Sequence, residues 1–207
     1  MPVFASLLDL LFPPRVDERV VRGVSEELLA GLVKPVLVPG TKPVVTGLLP
    51  FGNERVRALV HEAKYHGRRR AFGLLGEVLG EYLLDLGSEE SFGKAVLVPI
   101  PLSRERLRSR GYNQAEAIAL RAAKHAGIEV RADILARTRD TAPQTTLTGA
   151  GRRENLRGAF AATNPIDPSY TYILLDDVVT TGATLGSAAD ALLDAGAKRV
   201  LPVALAH

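Results

Sequence analysis

The stretch Tyr172-Ile173-Leu174-Leu175-Asp176-Asp177-Val178-Val179-Thr180-Thr181-Gly182-Ala183-Thr184-Leu185 decides how this chain is read. Its apolar run reads as a buried strand that ends in two adjacent carboxylates. A short turn rich in hydroxyls follows. Leu185–Ala195 then reads as a helix, with Gly196 just past its end. In an open α/β sheet this places everything at the carboxyl ends of the strands, where ligands bind. The unpaired N–H groups that open a helix suit a phosphate. Thr180, Thr181 and Thr184 add hydroxyl donors, and Gly182 lets the backbone come close. Two neighbouring carboxylates without partners repel, and sugar hydroxyls or a hydrated Mg²⁺ would answer them. No G-x-x-x-x-G-K-[ST] occurs, and no G-x-G-x-x-G opens a helix, which excludes a P-loop and a dinucleotide fingerprint. A structural βα turn would use Asp and Thr only as caps. Six specific residues within nine positions, after a strand and before a helix, exceed that need.

Outward from this stretch, strands alternate with helices. Ala95–Val98 reads as a strand stopped by Pro99-Ile100-Pro101, and a basic loop, Arg104–Arg110, follows it. A helix from Asn113 to His125 ends at Gly127, Ile128–Leu135 gives a second strand region, and Arg199–Leu205 gives the last strand. Asn53 caps a helix that carries Val56, Leu59, Val60 and Ala63 on one face and ends at Gly67. The next helix, Arg69 to Leu86, contains Gly73, Gly76 and Gly80, which weaken it or permit close packing. Residues 1–50 read as a small N-terminal appendage broken by Pro35, Pro39, Gly40 and Pro43, and 51–207 as the main domain. Apolar strand runs between helices imply a mostly parallel α/β sheet flanked by helices.

Composition narrows the chemistry. The 207 residues contain no cysteine, which excludes a disulfide scaffold, thiol catalysis and any Cys-based zinc site. Of the four histidines, His61 and His66 are five apart, a spacing that does not place both on one helical face, so no zinc site is expected. The apolar stretch Leu7–Phe12 is short and interrupted by Asp9, and nothing approaches 18 consecutive apolar residues. No membrane span and a cytoplasmic setting are the expectation. Net charge is +3, but Pro101–Arg157 carries 12 Lys/Arg against 6 Asp/Glu, which favours a polyanionic ligand there. Thr138–Arg157 has little periodicity, and a loop of that length in a compact domain usually has a function.

The segment Asp176–Thr184 resembles the phosphoribosyl-diphosphate (PRPP) motif of type I phosphoribosyltransferases. The wider chain is similar to the ComF family of competence-associated proteins. Val98-Pro99-Ile100-Pro101-Leu102, Arg106, Arg110-Gly111-Tyr112-Asn113-Gln114 and the Lys64-Tyr65-His66-Gly67 region carry that resemblance. Gln144, Leu147, Arg152, Asn155 and Gly158-Ala159-Phe160 continue it, so that it covers roughly residues 50–207. It implies a type I phosphoribosyltransferase-like fold. Asp176 and Asp177 would hold the ribose hydroxyls with Mg²⁺, and Thr180, Thr181, Gly182, Ala183 and Thr184 would cradle the 5′-phosphate. Arg106 and Arg110 would take the pyrophosphate, and Arg137, Arg152 and Lys64 are further pyrophosphate or catalytic-loop candidates. A mobile loop at Thr138–Arg157 would exclude water. The family commonly opens with a Cys-rich zinc ribbon. This chain keeps Leu7-Leu8-Asp9-Leu10-Leu11-Phe12-Pro13-Pro14 but continues without ligands, so residues 1–50 occupy a degenerate ribbon position. Two function classes follow. One is a Mg²⁺-dependent phosphoribosyltransferase that uses PRPP. The other is a non-catalytic module of transformation that binds a ligand or single-stranded DNA, with competence or DNA-processing proteins as partners. For DNA, the stacking aromatics in the basic segment are few, chiefly Tyr112 and Phe160.

Overall fold

Local capping sets where the elements begin and end in the structure, a computed structural model that describes residues 15–89, 94–139 and 158–207. Two short helices come first, α1 (Val16–Arg22) and α2 (Glu26–Ala30), the second capped by Ser25. Strands β1 (Val36–Val38) and β2 (Val45–Leu49) follow, then α3 (Glu54–His66) and α4 (Arg69–Glu89). Next come β3 (Lys94–Pro99), α5 (Arg104–Arg110), α6 (Gln114–Ala126), β4 (Glu129–Val130), β5 (Leu135–Arg137) and β6 (Phe160–Ala162). The chain closes with β7 (Tyr170–Val178), α7 (Ala183–Asp194) and β8 (Arg199–Ala206). The Asn53 and Asn113 side chains accept the N–H groups of Arg55 and Ala115. Gly67 and Gly127 end α3 and α6 at φ 59° and 68°, the left-handed region where glycine has no steric penalty.

Six strands form one sheet in the order β1-β2-β8-β7-β3-β4, parallel throughout except for β1. β5 and β6 form a separate antiparallel pair. The sheet is covered on both faces. Leu97, Ile173 and Leu175 pack with α3, α4 and α6, whereas Val96, Val98, Tyr172 and Leu174 pack with α7. The connections diverge at the centre. After β3 the chain passes through α5 and α6 to β4 on one side, and after β7 it passes through α7 to β8 on the other. A crevice therefore opens at the carboxyl ends of β3 and β7, the topological switch point of an open α/β sheet. Among the described residues, no helix is long and apolar enough to cross a membrane.

Four expectations are corrected. Arg104–Arg110 is a helix rather than a loop, because Ser103 accepts the Arg106 N–H and Gly111 closes the last turn at φ 77°. Ile128–Leu135 is divided between two sheets: Glu129–Val130 pairs with β3, and Leu135 opens β5. Residues 36–49 are not part of an appendage, since β2 pairs in parallel with β8 inside the main sheet. His61 and His66 do approach, their ring centroids 5.6 Å apart, because long side chains at the end of α3 converge around Glu62. Fully buried Glu62 lies between the guanidinium groups of Arg15, at 3.1 Å, and Arg68, at 3.4 Å.

The α4 glycines differ in purpose. A Cβ on Gly76 would lie 2.6 Å from Arg121 Cβ, and one on Gly80 2.9 Å from His125 Cδ2, so both permit α4 to lie against α6. A Cβ on Gly73 meets nothing within 4 Å. Gly73→Ala should therefore stabilise the protein by about 0.5–1 kcal/mol through helix propensity. Gly76→Ala should cost about 1–3 kcal/mol through overpacking. Urea unfolding of the two variants checks the pair, and equal effects would refute this account of the helix contact.

Candidate functional site

β7 runs past the end of β3. Pro99 is level with Leu175, and Ile100 N–H donates to the Leu175 carbonyl, so Asp176 and Asp177 stand just beyond the region paired with β3, while β7 stays paired with β8. Strand alternation sends their side chains in different directions, and the two carboxylates have different surroundings. Asp177 is 6% exposed. Lys64 Nζ lies 2.8 Å from its Oδ1, and Gln114 Nε2 donates to its Oδ2 at 2.6 Å. Gln114 Oε1 in turn accepts from Arg110, at 2.9 Å, and the Arg110 guanidinium sits 5.0 Å from the centroid of the Tyr65 ring. The Tyr112 hydroxyl donates to the Ala63 carbonyl at 2.9 Å, one residue before Lys64. One buried carboxylate thus joins the ends of α3 and β7 to the start of α6.

Asp176 keeps partial exposure, but protein atoms crowd most of its surroundings. Burial pushes its carboxyl up to about 7, and the charge of Asp177 adds to the shift. The Asp177 N–H, which donates to Asp176 Oδ1 at 2.8 Å, opposes it, as do the charges of Lys64 and Arg106. A carboxylate buried beside a second one is disfavoured in its charged form, and a cation or hydroxyl donors from a ligand would relieve it.

Val179–Ala183 turns from β7 into α7. Asp176, Thr180, Thr181, Gly182, Ala183 and Thr184 line a small cup there. Gly182, the N-cap of α7, sits at φ 71°, and Thr181 Oγ1 accepts the Ala183 N–H at 3.4 Å, so the first turn of α7 borders the cup. A Cβ on Gly182 would lie 2.8 Å from the Thr41 side chain, and one on Gly186 2.6 Å from the Lys42 carbonyl oxygen. The β1–β2 connection therefore buttresses the turn from outside.

The structure gathers Asp176, Asp177, Lys64, Arg106 and Arg110 around one crevice, beside Thr180–Thr184. It changes the roles of two. Lys64, which reads equally as a surface lysine, is the counter-ion of Asp177, and the carboxylate pair is not partnerless. Arg137 lies on β5, its guanidinium 5.6 Å from the Phe160 centroid and its Nε donating to the Arg139 carbonyl. Arg152, Gln144, Leu147, Asn155 and nearly all of Thr138–Arg157 lie outside the described residues. Sequence reasoning gave Gln114 no role. Its place three residues after Gly111, at the first turn of α6, was visible, but its contact with Asp177 spans 63 residues.

The open, mostly parallel α/β sheet carries its strand-end carboxylates at the switch point, ahead of a hydroxyl-rich helix start, which is the arrangement that the resemblance to type I phosphoribosyltransferases implies. No family model matches the chain. The DNA utilization protein YhgH of Escherichia coli O157:H7 is 31% identical over 146 residues, 69% of this chain and 63% of that protein. Competence protein F of Haemophilus influenzae is 33% identical over 106 residues, 50% of this chain and 46% of its own. Competence protein ComFC of Bacillus subtilis is 36% identical over 104 residues, 49% of this chain and 39% of its own. The solved allosteric regulatory enzyme of purine biosynthesis has a TM-score of 0.43 and 19% identity, covering 71% of this chain and 30% of its own. The chain belongs to the ComF family. The matched region spans less than two thirds of the length of these relatives.

Two outcomes test this site. Lys64→Met would leave the Asp177 charge buried without its cation, and should destabilise the protein by about 3 kcal/mol, since Lys64 is itself partly exposed. Chemical denaturation reads that loss. Asp176 binds its proton more tightly when folded, so its contribution to stability is full below its unfolded value near 4 and is lost as pH rises through about 7. Asp176→Asn should therefore raise the melting temperature at pH 8 and leave it nearly unchanged at pH 4. A gain independent of pH would contradict the assigned environment.

Proposed function

We propose that this chain is a ComF-type protein of competence and DNA use that binds PRPP with Mg²⁺ at the turn between β7 and α7. The observation that carries the reading is the different surroundings of the two carboxylates. Asp177 is held by Lys64 and Gln114, whereas Asp176 is left at the switch point with its carboxyl pushed up by burial and by the Asp177 charge. Its neighbours fit the ligand. The helix-opening N–H groups and the hydroxyls of Thr180, Thr181 and Thr184 suit the 5′-phosphate. Asp176 suits the ribose hydroxyls, directly or through a hydrated Mg²⁺. Arg106, on the helix that follows β3, supplies charge for the pyrophosphate. When bound, Mg²⁺ would neutralise phosphate charge, and Asp176 is the carboxylate placed to orient it.

The names of the relatives support a setting in DNA uptake or use, and that setting and a cytoplasmic location are part of this proposal. Turnover would make the protein a phosphoribosyltransferase. The second reading, a non-catalytic module for single-stranded DNA, is favoured by α5. That helix buries none of its residues and presents Arg104, Arg106 and Arg108 to solvent.

Calorimetric titration with PRPP and Mg²⁺ separates the possibilities. The parent should bind in a saturable 1:1 manner, and Asp176→Asn should abolish binding with the fold intact. Arg106→Ala should weaken PRPP by about 1.5–3 kcal/mol and affect a simple 5′-phosphomonoester less. Release of pyrophosphate with an acceptor would establish the enzyme. Binding of single-stranded DNA without PRPP binding would replace this reading with the second one.

A further inference from the structure

The last turns of α3 carry a side-chain cluster that the ligand crevice does not use. His61, Glu62 and His66 each bring one nitrogen or oxygen within 4.8 Å of the others. Imidazole and carboxylate are the groups that bind metals of the zinc class in the absence of thiolate. Sequence spacing hides this convergence. Residues five apart do not share a helical face, but α3 ends at His66, Gly67 turns the chain at φ 59°, and the His66 ring rests edge-on to that of His61. The lack of cysteine excludes only thiolate zinc sites.

Each side chain is held in a way that suits a ligand. His61 Nδ1 lies 2.9 Å from Asp17 Oδ2 on α1, and the Tyr65 ring packs beside it at a centroid distance of 4.8 Å. A carboxylate beside a ligating imidazole orients the ring and raises its basicity. Glu62 is fully buried, and its two oxygens differ. Oε2 takes the closest guanidinium contact, from Arg15 at 3.1 Å, with Arg68 at 3.4 Å. Oε1 has the longer contacts of Arg15, at 3.3 and 3.4 Å, and lies 3.8 Å from His66 Nε2. That last separation is too long for a hydrogen bond. It approaches the spacing of two atoms on one tetrahedral zinc, about 3.4 Å for bonds of about 2.1 Å. Asp17, Glu18 and Glu62 offset the guanidinium groups of Arg15, Arg22 and Arg68, so an arriving cation meets no excess of positive charge. We propose that His61, Glu62 and His66 form a binding site for a divalent transition metal of the zinc class, with Asp17 orienting His61 and water completing the coordination. Two imidazoles disfavour Mg²⁺ and Ca²⁺, which prefer oxygen shells. Lys64 stands between the two histidines in sequence, so the ion would brace the end of α3 from which the Asp177 counter-ion extends.

The test uses the full chain without an affinity tag, titrated with Zn²⁺ at about pH 8, where an ordinary imidazole is unprotonated. Calorimetry should show one saturable site per chain. Co²⁺, used as a spectroscopic probe, should develop the strong visible absorption of a four-coordinate ion, and excess Mg²⁺ should not displace it. His61→Gln and His66→Gln should each weaken Zn²⁺ at least about tenfold, and Asp17→Asn should weaken it about tenfold by loosening His61. His125→Gln, at the exposed pair with Glu81, should bind like the parent. Both cluster histidines are exposed, so their variants should fold, and thermal melts check this. Zn²⁺ should raise the melting temperature of the parent and leave that of the double variant His61→Gln, His66→Gln unchanged. The proposal is overturned if no saturable site appears, if Co²⁺ keeps the weak absorption of its hydrated ion, or if Mg²⁺ displaces it. It is also overturned if both histidine variants bind like the parent, since the cluster would then be only the ion-pair network around Glu62. Loss of binding in His125→Gln would overturn it by placing the metal elsewhere.

Discussion

The Asp177 carboxylate is the joint of this structure. It sits at the end of the central strand, nearly closed to water, and accepts one contact from the end of α3 and another from the start of α6. A buried anion tolerates that position only if both oxygens are answered, and Lys64 and Gln114 answer one each. The requirement also runs outward. Gln114 can face Asp177 only if Asn113 ends the preceding turn, and its other end then holds Arg110 against Tyr65. The basic helix after β3 is thereby registered against the strand end that bears the candidate ligand carboxylate.

That arrangement divides labour between two adjacent residues of the same type. Asp177 organises the protein, and Asp176 bears the electrostatic cost. The cost appears as a carboxyl whose proton is held to about neutral pH by burial and by its neighbour. Sites for charged ligands commonly store an imbalance of this sort, which the ligand corrects. The turn beyond it is shaped by close approach, for Gly182 and Gly186 leave room for the β1–β2 connection to press against the start of α7. The crevice is therefore braced from three directions: by α3, by α6 and by residues 41–42.

The two edges of the sheet carry opposite character. At the carboxyl edge, the charges of Lys64 and Arg106 act on Asp176, beside the start of α7. Toward the other edge, exposed carboxylates from α2 and α4 lie above the core residues Leu29, Leu74 and Val78. Close packing of α4 on α6 through Gly76 and Gly80 links the two, since α6 begins at Gln114 and ends near His125, beside Glu81.

The alternation of apolar strands with capped helices was legible in the residues themselves, because caps, terminal glycines and buried runs act locally. So was the Asp176–Thr184 turn, whose parts lie within nine consecutive positions and whose resemblance to a PRPP motif needs no tertiary information. Ser103 and Gly111 also bounded α5 in the sequence, but four arginines in seven residues masked a helix as a loop. What lay beyond the sequence depended on contacts between distant segments. β2 reads as an irregular stretch between prolines, and pairing with β1 and with β8, the latter some 157 residues later, makes it a strand. Lys64 reads as a surface residue until α3 brings it to Asp177, and Gln114 carries no mark of its bond to the same carboxylate. By itself, then, the sequence determined the class of fold and the turn between β7 and α7, since local propensity and motif spacing suffice for both. Which of the two aspartates stays available, and what holds the other, was decided by the tertiary structure, because burial and charge pairing depend on what the fold places nearby.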